Sequence, residues 1–196
     1  MRGLLVLPFV IAATTALAQE GIYVGVGFGK FDYEESFASP IIGRVADEVS
    51  VAKLMGGFEI NDYVAFEIDF ADTHHIRQSG TEDIPPFGNV GGFLSMDFTI
   101  TSLKAVGQLP FDWGALLGGL GYFTANNGFT ETLSASCCDT IVESGSFTED
   151  GMTALVGIEW RFGRFGTRYG VRLDYQWWDL SDVDASAVGL ALSYGF

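Results

Sequence analysis

From Gly21 to Phe31 apolar and small residues alternate, with Ile22, Val24, Val26 and Phe28 at even positions and Tyr23, Gly25, Gly27 and Gly29 at odd ones. A period of two places the sets on opposite faces of a strand. A second segment, residues 49–60, sets Ala52, Leu54, Gly56, Phe58 and Ile60 against Lys53, Met55, Gly57 and Glu59. After a tight turn at Asn61-Asp62, a third opposes Val64, Phe66, Ile68 and Phe70 to Ala65, Glu67 and Asp69, so the two read as a hairpin. The fourth, residues 96–109, opens with Met96, Phe98 and Ile100 on the apolar outer face and Asp97, Thr99 and Thr101 on the inner one. Its alternation fails at Ser102-Leu103, where a bulge would account for the break.

Pro110-Phe111-Asp112 forms a second short turn, and residues 113–123 (WGALLGGLGYF) are a Gly-rich fifth strand. The sixth sets Ala154, Val156, Ile158, Trp160 and Phe162 against Leu155, Gly157, Glu159 and Arg161, followed by a third short turn at residues 163–166. The seventh opposes Tyr169, Val171, Leu173, Tyr175 and Trp177 to Arg168, Gly170, Arg172, Asp174 and Gln176. The eighth runs through Val188, Leu190, Leu192, Tyr194 and Phe196 against Gly189, Ala191, Ser193 and Gly195. Longer polar stretches, residues 31–48, 72–92, 124–151 and 178–185, alternate with the short turns. Lipid offers no hydrogen-bond partners, so strands that cross it must close into a barrel. The expected fold is therefore all-β, a transmembrane eight-stranded antiparallel up-and-down barrel with short periplasmic turns and long outer loops. A soluble sandwich would pair its apolar faces and gives no reason for one class of loop to be longer. Aromatic residues near the strand ends fit interfacial girdles: Phe111, Trp113, Phe162, Tyr169 and Phe196 on the turn side, Phe28, Phe70, Tyr122 and Trp177 on the loop side.

The first residues have a different pattern. A basic start at Arg2, an apolar run from Leu4 to Ala13 and the small-x-small Ala16-Leu17-Ala18 read as a secretory signal peptide over residues 1–18, with the barrel domain over 19–196 and no further domain after it. The apolar run is about half of the ~20 residues a spanning helix needs.

Composition sharpens this reading. The 196 residues are 48% hydrophobic, yet carry 25 acidic against 10 basic residues and a formal charge of −15. Disorder needs low hydrophobicity with high charge and does not fit. A nucleic-acid partner needs a basic surface, and a sequence pI near 4.2 excludes one.

The opening IYVGVGFG, the hairpin AKLMGGFEINDYVAFEIDF, the GLGYF of the fifth strand, GIEWRFG leading to YGVRLDYQWW, and the terminal alternation through Tyr194 and Phe196 together resemble the OmpA-like eight-stranded outer-membrane barrel family, with its opacity-type and porin-like small members. The resemblance covers essentially the whole chain after residue 18 and implies residence in the outer membrane of a Gram-negative cell envelope. It also implies membrane lipid and lipopolysaccharide as surroundings, and barrel-assembly machinery as the reader of an assembly signal at Tyr194 and Phe196.

The inner faces assign Lys53, Glu59, Glu67, Asp69, Glu159, Arg161, Arg168, Arg172 and Asp174 to the lumen, with Asp97 beside them and Lys104 added if the fourth strand shifts register. Side chains fill the interior of an eight-stranded barrel, and buried charges pair, so an ion-pair network is expected. The resemblance implies a second reading, a gated small-ion pathway, centred on Lys53, Glu67, Glu159 and Arg172.

Acidic residues crowd the outer stretches: Asp32, Glu34, Glu35, Asp47, Glu48, Asp72, Glu82, Asp83, Glu131, Asp139, Glu143, Glu149, Asp150, Asp179, Asp182 and Asp184, against Lys30, Arg44 and Arg77. They read as a solvated face, or as weak divalent-cation bridges to lipopolysaccharide phosphates. Adjacent Cys137 and Cys138 leave open a vicinal disulfide, free thiols or an intermolecular bond. His74-His75 near that pair would make a thiol-imidazole metal site, but zinc-ligand spacing is absent and no metal or cofactor is expected. The only histidines lack an ordered nucleophile, so catalysis is not expected. The function read is a non-catalytic outer-membrane barrel with a structural or surface-interaction role and an unknown loop ligand. A low-conductance porin-like channel is the alternative, and a lipid-modifying barrel enzyme stands behind it.

Overall fold

The computed structural model describes residues 21–36, 44–84, 88–135, 137–162, 168–180 and 183–196. The expected signal peptide and the third short turn lie outside them. Nine antiparallel strands and no helix are found among the described residues: β1 (Ile22–Ser36), β2 (Arg44–Asn61), β3 (Val64–Thr73), β4 (Ile76–Ile84), β5 (Gly88–Phe111), β6 (Gly114–Ala135), β7 (Ile141–Phe162), β8 (Arg168–Leu180) and β9 (Val183–Gly195). Hydrogen bonding runs β3-β2-β1-β9-β8-β7-β6-β5, and pairing of β3 with β5 closes the ring. Eight strands make the barrel, and β4 adds only to the outer half of β5.

The ninth strand comes from a break in the third crossing. Asp72 pairs with Thr99 and Ile76 with Met96, so Thr73, His74 and His75 face only Asp97 and Phe98. That is a bulge, one residue longer on the first strand than on its partner. The Phe98 N–H donates instead to Thr73 Oγ1 at 3.0 Å. The bulge expected at Ser102-Leu103 is absent, since β5 keeps one register with β6 from Val90 to Phe111 and with β3 from Thr99 to Gly107.

Side-chain direction in β5 is also the reverse of the expectation over its outer half. Met96, Phe98 and Ile100 point inward and are buried, while Asp97 is exposed outside. Alternation did not stop at Ser102. The outward row changes from Thr101 to Leu103 and the inward row from Ile100 to Ser102, so polarity swaps faces while the geometry continues. The same outward switch occurs between Phe28 and Lys30, Ala52 and Ser50, Phe70 and Asp72, Tyr122 and Thr124, Met152 and Asp150, and Trp177 and Asp179. Below this line the outside is apolar and open, with Phe28 69% and Leu120 66% exposed. A continuous exposed apolar belt of this kind is the lipid-facing band of a membrane barrel.

Above the line the strands do not end. β5, β6 and β7 have 24, 22 and 22 residues, whereas a tilted crossing needs about 10. The stretches 72–92 and 124–151, expected as long loops, are therefore largely strand. Hydropathy marks a strand only where lipid touches one face. Beyond the lipid, Thr- and Val-containing segments such as Phe129–Leu133 opposite Ile141–Gly145 stay paired through the backbone. In the last of the four stretches, 178–185, the β8–β9 ladder continues to the pair of Leu180 with Val183.

Candidate functional site

The lumen is built from side chains at alternate positions, and its chemistry changes in tiers that β8 crosses in order: Arg168, Arg172, Asp174, Gln176 and Trp178. Small residues line it on β1 and β9, with Gly25, Gly27 and Gly29 opposite Ser193, Ala191 and Gly189. That low wall leaves space for the long side chains of β2, β3, β5 and β8.

The central tier gathers Lys53, Glu67, Asp69, Arg172 and Asp174 with Lys104. Arg172 grips Glu67 with two nitrogens, Nη1 to Oε2 at 2.5 Å and Nη2 to Oε1 at 3.3 Å. Its Nε lies 2.9 Å from Asp174 Oδ2 as an ionic contact without a hydrogen bond. Asp174 in turn accepts from Lys53 Nζ at 2.9 and 2.8 Å. Lys104 Nζ bonds to Asp69, lies 3.1 Å from Glu67 Oε1 and donates to Gln176 Oε1 at 3.2 Å. The Tyr23 hydroxyl donates to Glu67 at 2.9 Å. Lys53, Lys104 and Arg172 against Glu67, Asp69 and Asp174 give formal neutrality, which is how buried charges avoid the cost of isolation. One carboxylate oxygen, Asp69 Oδ1, has no hydrogen bond.

A second tier lies nearer the short turns. Arg161 bonds to Glu159 at 2.7 Å and to Gln108 at 2.6 Å, and lies 3.4 Å from Glu59. Arg168 pairs with Glu59 at 2.6 Å, and the Ser193 hydroxyl donates to Glu159 at 2.9 Å. Two cations again meet two anions. Glu159 therefore belongs to this lower group, beside a recess partly open to solvent: it stands opposite Arg172 in the β7–β8 register, but its side chain bonds to Arg161 and Ser193. Parity along the strands alone puts Lys53, Glu67, Glu159 and Arg172 on inner faces and does not separate the two tiers.

Above the central tier the lumen turns apolar. Phe31, Tyr33, Phe98 and Trp178 pack ring to ring at centroid distances of 4.8 to 6.4 Å, and Ile76, Met96 and Ile100 join the same cluster. Trp178 Nε1 donates to Ser102 Oγ at 3.4 Å, linking plug and network. None of these plug residues was a site candidate, because Phe31, Tyr33 and Trp178 fell in stretches read as loop and Phe98 on the outer face. The signal was present: Tyr23-Gly25-Gly27-Gly29 continues in phase to Phe31 and Tyr33, and Arg172-Asp174-Gln176 to Trp178.

Outside the barrel, His74 and His75 sit at the β3 bulge, with His75 Nδ1 3.8 Å from Asp97. Cys137 and Cys138 are bonded to each other beyond the end of β6. Among the described residues no group of three or more His, Cys, Asp or Glu is placed to hold a metal. At the short-turn end Phe162, Tyr169, Tyr194 and Phe196 form a run of ring contacts at 4.8 to 6.4 Å. The Phe196 N–H donates to Ile22 O at 3.0 Å, so the last residue is tied to the first described strand.

Among solved structures, the chain is similar to Ail, the attachment invasion locus protein of Yersinia pestis, solved in complex with the heparin analogue sucrose octasulfate. Identity is 17%, coverage 91% of this chain and 100% of that one, and the TM-score 0.55. It is also similar to Neisserial surface protein A, at 13% identity, coverage of 90% and 97%, and a TM-score of 0.52. No curated protein matches the chain. These likenesses show the shared fold, a small eight-stranded barrel. The match of a family model to residues 3–196 agrees with the closed ring and the apolar belt: the chain belongs to the outer membrane protein beta-barrel domain family.

Proposed function

We propose that this outer-membrane barrel is closed and non-catalytic, and that it holds acidic hairpins at the cell surface for contact with an outside partner or for bracing the membrane. The observation that carries the reading is the apolar ring cluster of Phe31, Tyr33, Phe98 and Trp178 above a neutral ion-pair network. Water and ions would have to pass a dry constriction and then separate paired charges, each of which costs several kcal/mol.

Export by residues 1–18, insertion of the 19–196 domain by barrel-assembly machinery that reads Tyr194 and Phe196, and contact with lipopolysaccharide belong to the same proposal. The exposed acids at Asp32, Glu82, Asp83, Glu143 and Asp150 favour a cationic partner. They disfavour a sulfated polyanion of the kind bound in the Ail complex, because like charges repel across an interface.

Planar-bilayer recording of the purified barrel, together with mass analysis of lipid A from expressing cells, tests this function. Silent bilayers and unchanged lipid A are expected. Steady unitary currents would transfer the assignment to the low-conductance channel, and an altered lipid A mass to a lipid-modifying enzyme.

A further inference from the structure

The β6–β7 hairpin rises past the apolar belt to its last pair, Leu133 with Ile141, and carries at its tip the bonded neighbours Cys137 and Cys138. Both are solvent-exposed, and they are the only cysteines of the chain. A disulfide stabilises chiefly by closing a loop in the unfolded chain, and the effect grows with the residues enclosed. This one joins residues at a sequence separation of 1 and encloses none. It crosses no strand pair either, since the register from Gly114 to Leu133 is held by the backbone ladder with β7. Stability therefore gives no reason for the bond, and what remains is the chemistry of two adjacent, accessible sulfurs.

We propose that Cys137–Cys138 is a thiol-exchange site at the outer tip of the hairpin, open to small external thiols. A thiolate attacks one sulfur, the Cys–Cys bond breaks, a mixed disulfide forms, and the released cysteine takes up a proton. A second external thiol attacks the mixed disulfide. Two thiols lose two electrons and two protons to become an external disulfide, and the protein gains two cysteine thiols. Attack and release need only access and a leaving thiolate, which exposed sulfurs at a hairpin end provide. Once reduced, the neighbouring thiols form a close pair able to hold one soft thiophilic atom between them. The outward direction of the tip rests on the proposed membrane orientation, whereas the exchange chemistry does not.

The test uses the purified full barrel in detergent micelles, treated with glutathione and then alkylated, with intact mass as the readout. Expected are no alkylation before treatment, two alkyl groups per chain after it, and unchanged thermal melting of the barrel. Cys138→Ser, incubated instead with oxidised glutathione, should exchange its single thiolate for one glutathione adduct with release of one reduced glutathione, and should keep that adduct because no neighbouring thiol remains to displace it. It should also lose the capture of phenylarsine oxide that the reduced wild-type pair shows. A folded barrel whose cysteines resist glutathione overturns the proposal, as does a marked fall in melting temperature on reduction, which would make the bond a staple. On cells, a membrane-impermeant maleimide after mild reduction should label intact bacteria. Labelling only after permeabilisation would overturn the outer placement while leaving the exchange result from the purified barrel standing.

Discussion

Arg172 of β8 and Glu67 of β3 meet across the lumen in a two-pronged ion pair, with the shorter contact at 2.5 Å and both side chains shut away from water. The pair is not isolated, since Arg172 also faces Asp174 and Glu67 also faces Lys104. Arg172→Met should therefore be costly out of proportion to one lost contact, because it leaves three acids against two cations. Breaking a buried pair from one side costs about 3–5 kcal/mol. The double variant Arg172→Met with Glu67→Gln restores the balance and should recover much of that loss. Urea unfolding of the refolded barrel checks both, and equal destabilisation by the single and double variants would contradict the coupling.

Gly57 gives a steric prediction with an internal control. It pairs with Tyr23, whose ring covers the position a Cβ would take, and the hydroxyl of that ring reaches Glu67. Gly57→Ala pushes the ring off its hydrogen bond and should destabilise by about 1–3 kcal/mol, the usual cost of overpacking. Gly118 lies on the outside with nothing within 4 Å of an added Cβ. Gly118→Ala should change stability by less than about 0.5 kcal/mol, as surface substitutions usually do. Thermal melting of the two variants side by side decides it.

The contrast between faces explains which parts of the molecule were legible in the sequence. In β2, β3 and β8 the inside is charged and the outside apolar over the lipid band, so Lys53, Glu67, Asp69, Arg172 and Asp174 could be placed by parity alone. In the outer half of β5 the assignment inverts, because Met96, Phe98 and Ile100 face an apolar plug and Asp97, Thr99 and Thr101 face water. Hydropathy reports that two faces differ and is blind to which one is inside. Which partners meet was also hidden: Glu59 with Arg168 spans 109 residues, and only the pairing of β1 with β9 brings β2 and β8 near each other. The bulge at Thr73–His75 has no composition signal, since its cause is a register step between β3 and β4 against a continuous β5.

Phe196 separates folding from delivery. Its ring packs on Tyr194 at 4.8 Å and its N–H bonds to Ile22, contacts that lie at the rim rather than in the lumen. Phe196→Ala should therefore refold in detergent with the heat-modifiable gel shift of the wild type, yet accumulate less in the outer-membrane fraction of expressing cells. Wild-type levels in that fraction would remove Phe196 from the assembly signal, and failure to refold in detergent would make its role structural.

The two tiers and the plug predict different consequences for conduction. Removing Glu159 opens only the lower group, above which the Arg172–Glu67 tier and the rings of Phe31, Tyr33, Phe98 and Trp178 still close the lumen. Glu159→Ala should stay silent in planar bilayers. Trp178→Ala with Phe98→Ala empties the middle of the plug and also removes the Trp178 hydrogen bond to Ser102, so that water reaches Gln176, Lys104 and Asp174 from outside. Each truncation costs about 3–5 kcal/mol of packing, so heat-modifiable migration is measured first to select folded barrels. Brief, small currents are then expected from the double variant, because hydrated Lys53 and Arg172 lose the dry surroundings that hold them to Asp174 and Glu67. Currents from Glu159→Ala with silence from the folded plug variant would place the barrier in the lower ion pairs instead.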